Sequence, residues 1–543
     1  MNMKGMVVAP HSLAVEEGVK ALRRGGNAVD AAVTAAFVQC VVGVGMCGIA
    51  GFGSMHVYKA DSGEDKILDF HGKAGSKAAP DIWEDLLLRE NRSGYGYTLK
   101  GAVNDMGYQS IAASGTVRAF HEALTRYGTI KWKESIDPAI RYAAKGYPVS
   151  GEQAILWGVG GPSIGIAIKD KFKATPAAEE IFLKDGEPYN MGEVLVQKDL
   201  GQTLREVAGE GAEVFYTGEI GERIARDLEE HGSLVTGDDW ESFEVTMSEP
   251  LQTDYRGYTI SSSPAPGGGI TLIEILNILE GYDLSRYEWR GLGPDAPEHM
   301  HLVAMALKAA QADRARFIGD PAFVDVPTEK LASKEHAAEW RERIDAGERI
   351  IIPRRAPKED TSTTHISVVD GRGNAVSLTH SLSSISGVVT PGLGFLYNSC
   401  MNCFNPTPGH PNSIAPGKSR ITGLSPTLVF EDGEVMMVIG APGGNMIIGG
   451  VAQGIINILD HKMSPVEAVY APRIGCQWLD TVDVSSRIPS YLCDELSKRG
   501  HKVVKIPFDY LPFPLVQAIM VDRESGKVYG GSDPRGGGVA LSE

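Results

Sequence analysis

Thr363-Thr364-His365-Ile366-Ser367-Val368-Val369-Asp370 is the stretch on which the reading of this 543-residue chain turns. It follows Thr361 and Ser362, so a run of small hydroxyl residues leads into an alternating apolar segment and then the turn Gly371-Arg372-Gly373-Asn374. Such alternation predicts a half-buried strand. A threonine hydroxyl is a poor nucleophile unless a base lies beside it, and no catalytic triad spacing surrounds this stretch. The economical base is the threonine's own α-amino group. That amine exists only after the preceding bond is cut, and it titrates near ~8, close to working pH. By chemistry alone Thr361, Ser362, Thr363 and Thr364 are rival nucleophiles.

Outward from this stretch, residues 375–382 form a second strand-like run that pairs with 366–369 as an antiparallel hairpin. Strands are predicted again at 427–430 and 435–439, before the turn Ala441-Pro442-Gly443-Gly444 and a helix over 447–459. Upstream, helices are predicted at 13–23 and 27–41, joined at Gly25-Gly26-Asn27. The second is apolar nearly all round, the mark of a core helix. Glycines 43, 45, 48, 51 and 53 then punctuate a turn feeding a strand over 54–58. This turn lacks the Gly-Lys-Ser/Thr ending of a phosphate loop and follows a helix, so a nucleotide is not the expected ligand. Residues 261–269 read as a tight turn opening a strongly amphipathic helix through Leu279. The charged segment 326–358, ending at Pro353-Arg354-Arg355-Ala356-Pro357, is the best linker candidate.

Composition narrows the classes. Apolar content of 43% and charged content of 22% suit a globular chain with a sizeable core. A net charge of −17 and the lack of clustered Lys and Arg argue against nucleic acid. No run is apolar enough to span a bilayer, and six cysteines are too few for a disulfide scaffold. The start of the chain lacks the apolar core of a secretion signal, so a cytoplasmic location is expected. No motif implies a metal or organic cofactor.

Several separated motifs now fall into one order: GGNAVDAAV at 25–33, TTHISVVD at 363–370, SPT at 425–427, APGGN at 441–445, APR at 471–473 with Gln477-Trp478 after it, and YGGSDPR at 529–535. With these the chain resembles the γ-glutamyltransferase family of N-terminal nucleophile hydrolases over nearly its full length. The resemblance implies a four-layer αββα sandwich. It also implies a precursor that cuts itself between Ser362 and Thr363 into large (1–362) and small (363–543) subunits, interwoven as one structural unit. In that register Thr363 is the nucleophile, Gly443 and Gly444 supply oxyanion-holding N–H groups, and Ser381 takes the place of a threonine that contacts the nucleophile. Glycine suits the oxyanion turn because no Cβ shields the amides, and the following helix adds its positive end.

Departures from the family pattern concern the substrate. The arginine that grips the substrate α-carboxylate falls at Pro80, and no arginine lies between Asp69 and Leu88. Groups that hold the α-amino and carboxylate ends fall at Ser383, Cys400 and Cys403, and a paired-serine position falls at Thr422 and Gly423. Losing a bidentate Arg–carboxylate contact and pairing to an ammonium should weaken γ-glutamyl recognition severely. The expected reaction is therefore hydrolysis of a small-molecule amide through an acyl-enzyme, with an acyl group less zwitterionic than γ-glutamyl. Arg420, Lys418 and Arg473 are candidate carboxylate anchors. The alternatives are a glutathione hydrolase or γ-glutamyltransferase, a biosynthetic relative cleaving another bond, and a non-catalytic binding homologue. A homo-oligomer of processed heterodimers is compatible with all of them. Cys400-Met401-Asn402-Cys403 lacks the second pair of a zinc site and the setting of a redox motif, so pocket lining or packing is expected. His365 is expected to be packed or hydrogen-bonded rather than catalytic.

Overall fold

The computed structural model of the uncut chain describes residues 3–90, 96–158, 166–353, 362–477, 479–507 and 513–543. The hairpin read from the sequence lies at its centre, as strands Ser362–Val369 and Ala375–Ser383. They occupy the middle of a seven-stranded sheet ordered Thr246–Ser248, Glu64–Phe70, Phe52–Lys59, Ala375–Ser383, Ser362–Val369, Met6–Ala9, Val539–Ser542. A second, six-stranded sheet runs Leu251–Tyr255, Tyr258–Ser262, Thr427–Glu431, Glu434–Gly440, Gln517–Asp522, Lys527–Ser532.

Three apolar interfaces separate four layers. Helix Ala28–Val42, buried along its whole length, packs on the first sheet through a core that includes Phe37, Met55, Ile366 and Leu378. Between the sheets lie Val8, Val369, Leu428, Val438 and Ile519. Helices Gly269–Glu280, Ala296–Phe317 and Met446–Leu459 share the outer core of the second sheet with Val429, Met437 and Ile439. Each such buried side chain contributes roughly 1.5–3 kcal/mol relative to exposure. The expectation of an amphipathic helix ahead of Leu279 is corrected: every residue from Gly269 to Leu279 is buried, because helices pack on it from the side as well as the sheet from below. Two motifs distant in sequence meet here. Asn27 caps the core helix in a capping box with Asp30. Asp370 accepts a bond from the N–H of Ala28 at 3.0 Å and also closes the hairpin turn by accepting from the N–H groups of Arg372 and Asn374. The last residue of the opening stretch thus places an anion at a helix N-terminus, where the helix dipole favours it.

A buried polar trio fastens the outer helices. His336, from helix Lys334–Asp345, has Nε2 2.7 Å from the Asp313 carboxylate and 3.6 Å from that of Glu274. Bonds to Asp313 and Glu274 raise the His336 pKa to about 10, and burial pushes Glu274 up to about 8.

Candidate active site

The register of the central hairpin slips between Ser362 and Thr364, so Thr363 sits in a bulge at the strand's start. Bulges re-aim a side chain, and here the Thr363 Oγ1 lies 3.1 Å from the Ser381 Oγ. The Ser381 hydroxyl also accepts from the N–H of Ser383 at 2.8 Å, which fixes its orientation. Thr364 instead pairs with His380 and lines a cavity of about 150 Å3 on the helix side of the sheet, with Gln39 and Met46. The Ser381 hydroxyl therefore meets Thr363 and favours it over Thr364. Thr361 and Trp478 lie outside the described residues, as do Arg354, Arg355, Ala356 and Pro357 of the linker candidate, and only the backbone of Ser362 is described.

His365 is fully buried between the sheets. Its Nδ1 is 2.8 Å from the Thr379 hydroxyl, and its Nε2 is 3.1 Å from that of Ser367. Burial, then the neighbouring His380, pulls its pKa down to about 3, so it is a neutral packed group. A Cβ on Gly440 would overlap this ring. That close approach sets the second sheet against the strand that starts at Thr363, three residues before the glycine turn.

Gly443 and Gly444 adopt φ of +140° and +59°, conformations glycine tolerates without strain. Helix Met446–Leu459 begins directly after them. A Cβ on Gly443 would meet Pro514 at 2.8 Å, and one on Gly423 would overlap the Gly444 carbonyl. Pro514 is itself held. Its carbonyl accepts from Arg473 at 2.9 Å and Arg535 at 3.0 Å, and Asp533 pairs with both guanidinium groups. The APR and SDPR motifs are thus a buried brace behind the glycine turn, and Arg473 is removed from the candidate carboxylate anchors. Lys418 donates to the Pro411 carbonyl at 2.7 Å.

Arg420 is the anchor candidate that reaches the predicted acyl pocket. It is fully buried, lies over the Phe52 ring at 4.9 Å, and donates to the Ser383 hydroxyl at 2.6 Å. Ser383 in turn donates to the Asn402 side-chain oxygen at 3.1 Å. Cys400 and Cys403 are buried in the short turn that carries Asn402, with Cys400 packed on Gly72. Thr422 accepts from, or donates to, His71 Nε2 at 2.6 Å, and its carbonyl accepts from Arg314 at 2.7 Å. The structure therefore gathers Thr363, Ser381 and Ser383 with Arg420, and Thr422 and Gly423 with the glycine turn, whereas Pro80 sits in an exposed turn. Sequence reasoning missed Asn402, His71, Arg314 and Lys171. The last is buried, with its ammonium 2.7 Å from Asp105 and 2.6 Å from the Ser384 hydroxyl. The Asn402 signal was present, since it lies between two residues already singled out.

Two facing sheets between helical layers are the architecture of the N-terminal nucleophile hydrolases. The family described as Gamma-glutamyltranspeptidase matches residues 14–542, and the chain belongs to that family. It is 35% identical over 513 residues to an Acylase ACY 1 proenzyme of Pseudomonas sp. (strain V22), covering 93% of this chain and 88% of that protein. It is 34% identical to the glutathione hydrolase proenzyme of Escherichia coli (strain K12), covering 98% and 90%. The crystal structure of cephalosporin acylase from Bacillus halodurans superposes with a TM-score of 0.86 at 28% identity, covering 99% and 96%. The chain is accordingly a hydrolase or acyltransferase of the N-terminal nucleophile type.

Proposed function

We propose that this protein is an amide hydrolase that acts through Thr363 after cleavage of the bond between Ser362 and Thr363. Its acyl pocket suits a chain ending in a carboxylate and lacking the α-ammonium of a γ-glutamyl group. The observation that carries this reading is Arg420, whose buried guanidinium bonds Ser383 two residues from Ser381. A buried cation disfavours a substrate ammonium and favours a carboxylate, to which it donates strong charge-assisted bonds. The relatives named as acylases support the same direction.

In this mechanism the Thr363 Oγ1 attacks the amide carbonyl while the freed α-amine takes its proton. The N–H groups of Gly443 and Gly444 hold the oxyanion. The amine then protonates the leaving nitrogen, and water, deprotonated by the same amine, resolves the ester. Ser381 orients the Thr363 hydroxyl throughout. Glutaryl-p-nitroanilide differs from γ-glutamyl-p-nitroanilide only by the α-amino group. The processed protein should release nitroaniline faster from the glutaryl compound; preference for γ-glutamyl would overturn the pocket reading in favour of a glutathione hydrolase. That second reading is supported by the glutathione hydrolase relative.

A further inference from the structure

Behind the strand that carries Ser381, three groups converge that the proposed reaction does not use. Cys40 is in the last turn of helix Ala28–Val42, Cys47 lies in the glycine-rich turn after it, and His380 precedes Ser381. The two sulfurs and one imidazole nitrogen all lie within 4.8 Å of one another. All three residues are buried, at 6%, 2% and 0% exposure.

The imidazole is set for ligation. His380 Nε2 donates to the Gln39 side-chain oxygen at 2.9 Å, which leaves Nδ1 with its lone pair, and Nδ1 has no hydrogen-bond partner. A carbonyl oxygen holding the far nitrogen is the usual arrangement behind a metal-bound histidine, because it fixes the tautomer and ring orientation. The thiols are set as well. Both sulfurs are buried within 4.8 Å of each other and of the imidazole nitrogen. A bound cation would draw the protons off both thiols.

We propose that Cys40, Cys47 and His380 form a binding site for Zn2+. Two thiolates and an imidazole are a soft donor set that selects zinc over magnesium or calcium. Two thiolate charges cancel the dication, so the buried site becomes neutral, which removes the penalty against burying charge. The ligands need only contract to about 2.3 Å for sulfur and about 2.0–2.1 Å for nitrogen. Binding releases the thiol protons to solvent and involves no redox change. The bound ion would tie the core helix and the glycine-rich turn to the strand that holds Ser381 against Thr363.

The test uses the full chain, purified in a thiol reductant without chelator. Added Zn2+ should bind at one equivalent per chain and raise Tm. Co2+ in its place should give a thiolate-to-cobalt charge-transfer band. Cys47→Ala and His380→Gln should weaken Zn2+ binding about 100-fold or more and abolish the Tm rise, whereas Cys493→Ala should change neither. Wild-type protein that shows no cobalt–thiolate band, or binds no more Zn2+ than Cys47→Ala, would overturn the proposal. So would an intact mass two hydrogens light, assigned by peptide mapping to a bond between Cys40 and Cys47. The cobalt spectrum is read on the wild type, so a variant that fails to fold leaves the test intact.

Discussion

At one end of the candidate site, Thr363 and Ser381 bring two hydroxyls to 3.1 Å at strand ends, and in the proposed reaction Gly443 and Gly444 add backbone amides from one turn. At the other, Ser383, Arg420 and Asn402 form a chain of polar side chains drawn from three separate segments, one of which reaches its partner through a long buried guanidinium. The first end needs only small residues in unusual backbone geometry: a bulge at Thr363 and φ of +140° at Gly443. The second holds a guanidinium that is fully buried. In the proposed reading bond breaking and selectivity can be varied apart, although the ends are joined by the strand that carries Ser381 and Ser383 and by the segment from Arg420 to Gly423, which packs on the glycine turn.

Separating the two ends by mutation gives a graded series. Thr363→Ala should lower turnover by about 10⁴-fold or more and leave the chain as one band. The wild type should run as fragments of about two thirds and one third of its 58.2 kDa. Acyl-product binding to the variant, followed by calorimetry, should survive; a cut, active Thr363→Ala protein would remove the threonine from the chemistry. Gly443→Ala should reduce kcat by about 10²–10³-fold, since the side chain meets Pro514 and the backbone is forced from its positive φ. Restored activity in that variant would show that the turn does not hold the oxyanion. Arg420→Met keeps the aliphatic stem over Phe52 and removes the charge. It should raise KM for glutaryl substrates by about 10–100-fold, the worth of a charged hydrogen bond, and spare uncharged acyl groups. An equal loss on both substrates would make Arg420 structural.

The smallest expected effect lies far from both ends and serves as a control on them. His336 keeps its proton up to about pH 10 in the folded chain, while the unfolded chain releases it near ~6.5. Its contribution to stability is full below that lower value and is lost as pH rises through about 10. Tm of the wild type should fall more steeply between about pH 7 and about pH 10 than that of His336→Gln, with kcat per folded molecule unchanged by the substitution. Parallel slopes would show that the trio does not carry the dependence.

The structural elements around Thr363 and the glycine turn were legible because what marks them is local: hydroxyl clusters, an alternating strand and a glycine pair ahead of a helix are visible within a few residues. The hairpin, the core helix over 27–41 and the glycine-turn helix are where the pattern put them. The polar chain of Arg420, Ser383 and Asn402 was half legible. Ser383 and Arg420 were each singled out, but their contact joins positions 37 residues apart, and no periodicity reports it. The brace of Arg473 and Asp533 stayed hidden for the same reason. The all-round burial of helix Gly269–Glu280 was hidden because a helix's neighbours are not written in its own sequence.

The order of strands in the first sheet has a consequence for molecularity. Met6–Ala9 lies between Ser362–Val369 and Val539–Ser542, and Phe52–Lys59 pairs with Ala375–Ser383. Cleavage between Ser362 and Thr363 would leave segments of the two products alternating across one hydrogen-bonded ladder. The uncut chain folds as a unimolecular process. The cut protein could regain the same sheet only by a second-order encounter of two fragments, so its refolding would depend on concentration. Maturation would then exchange reversible folding for kinetic persistence, and the same bond that creates the nucleophile would close the route by which the sheet was assembled.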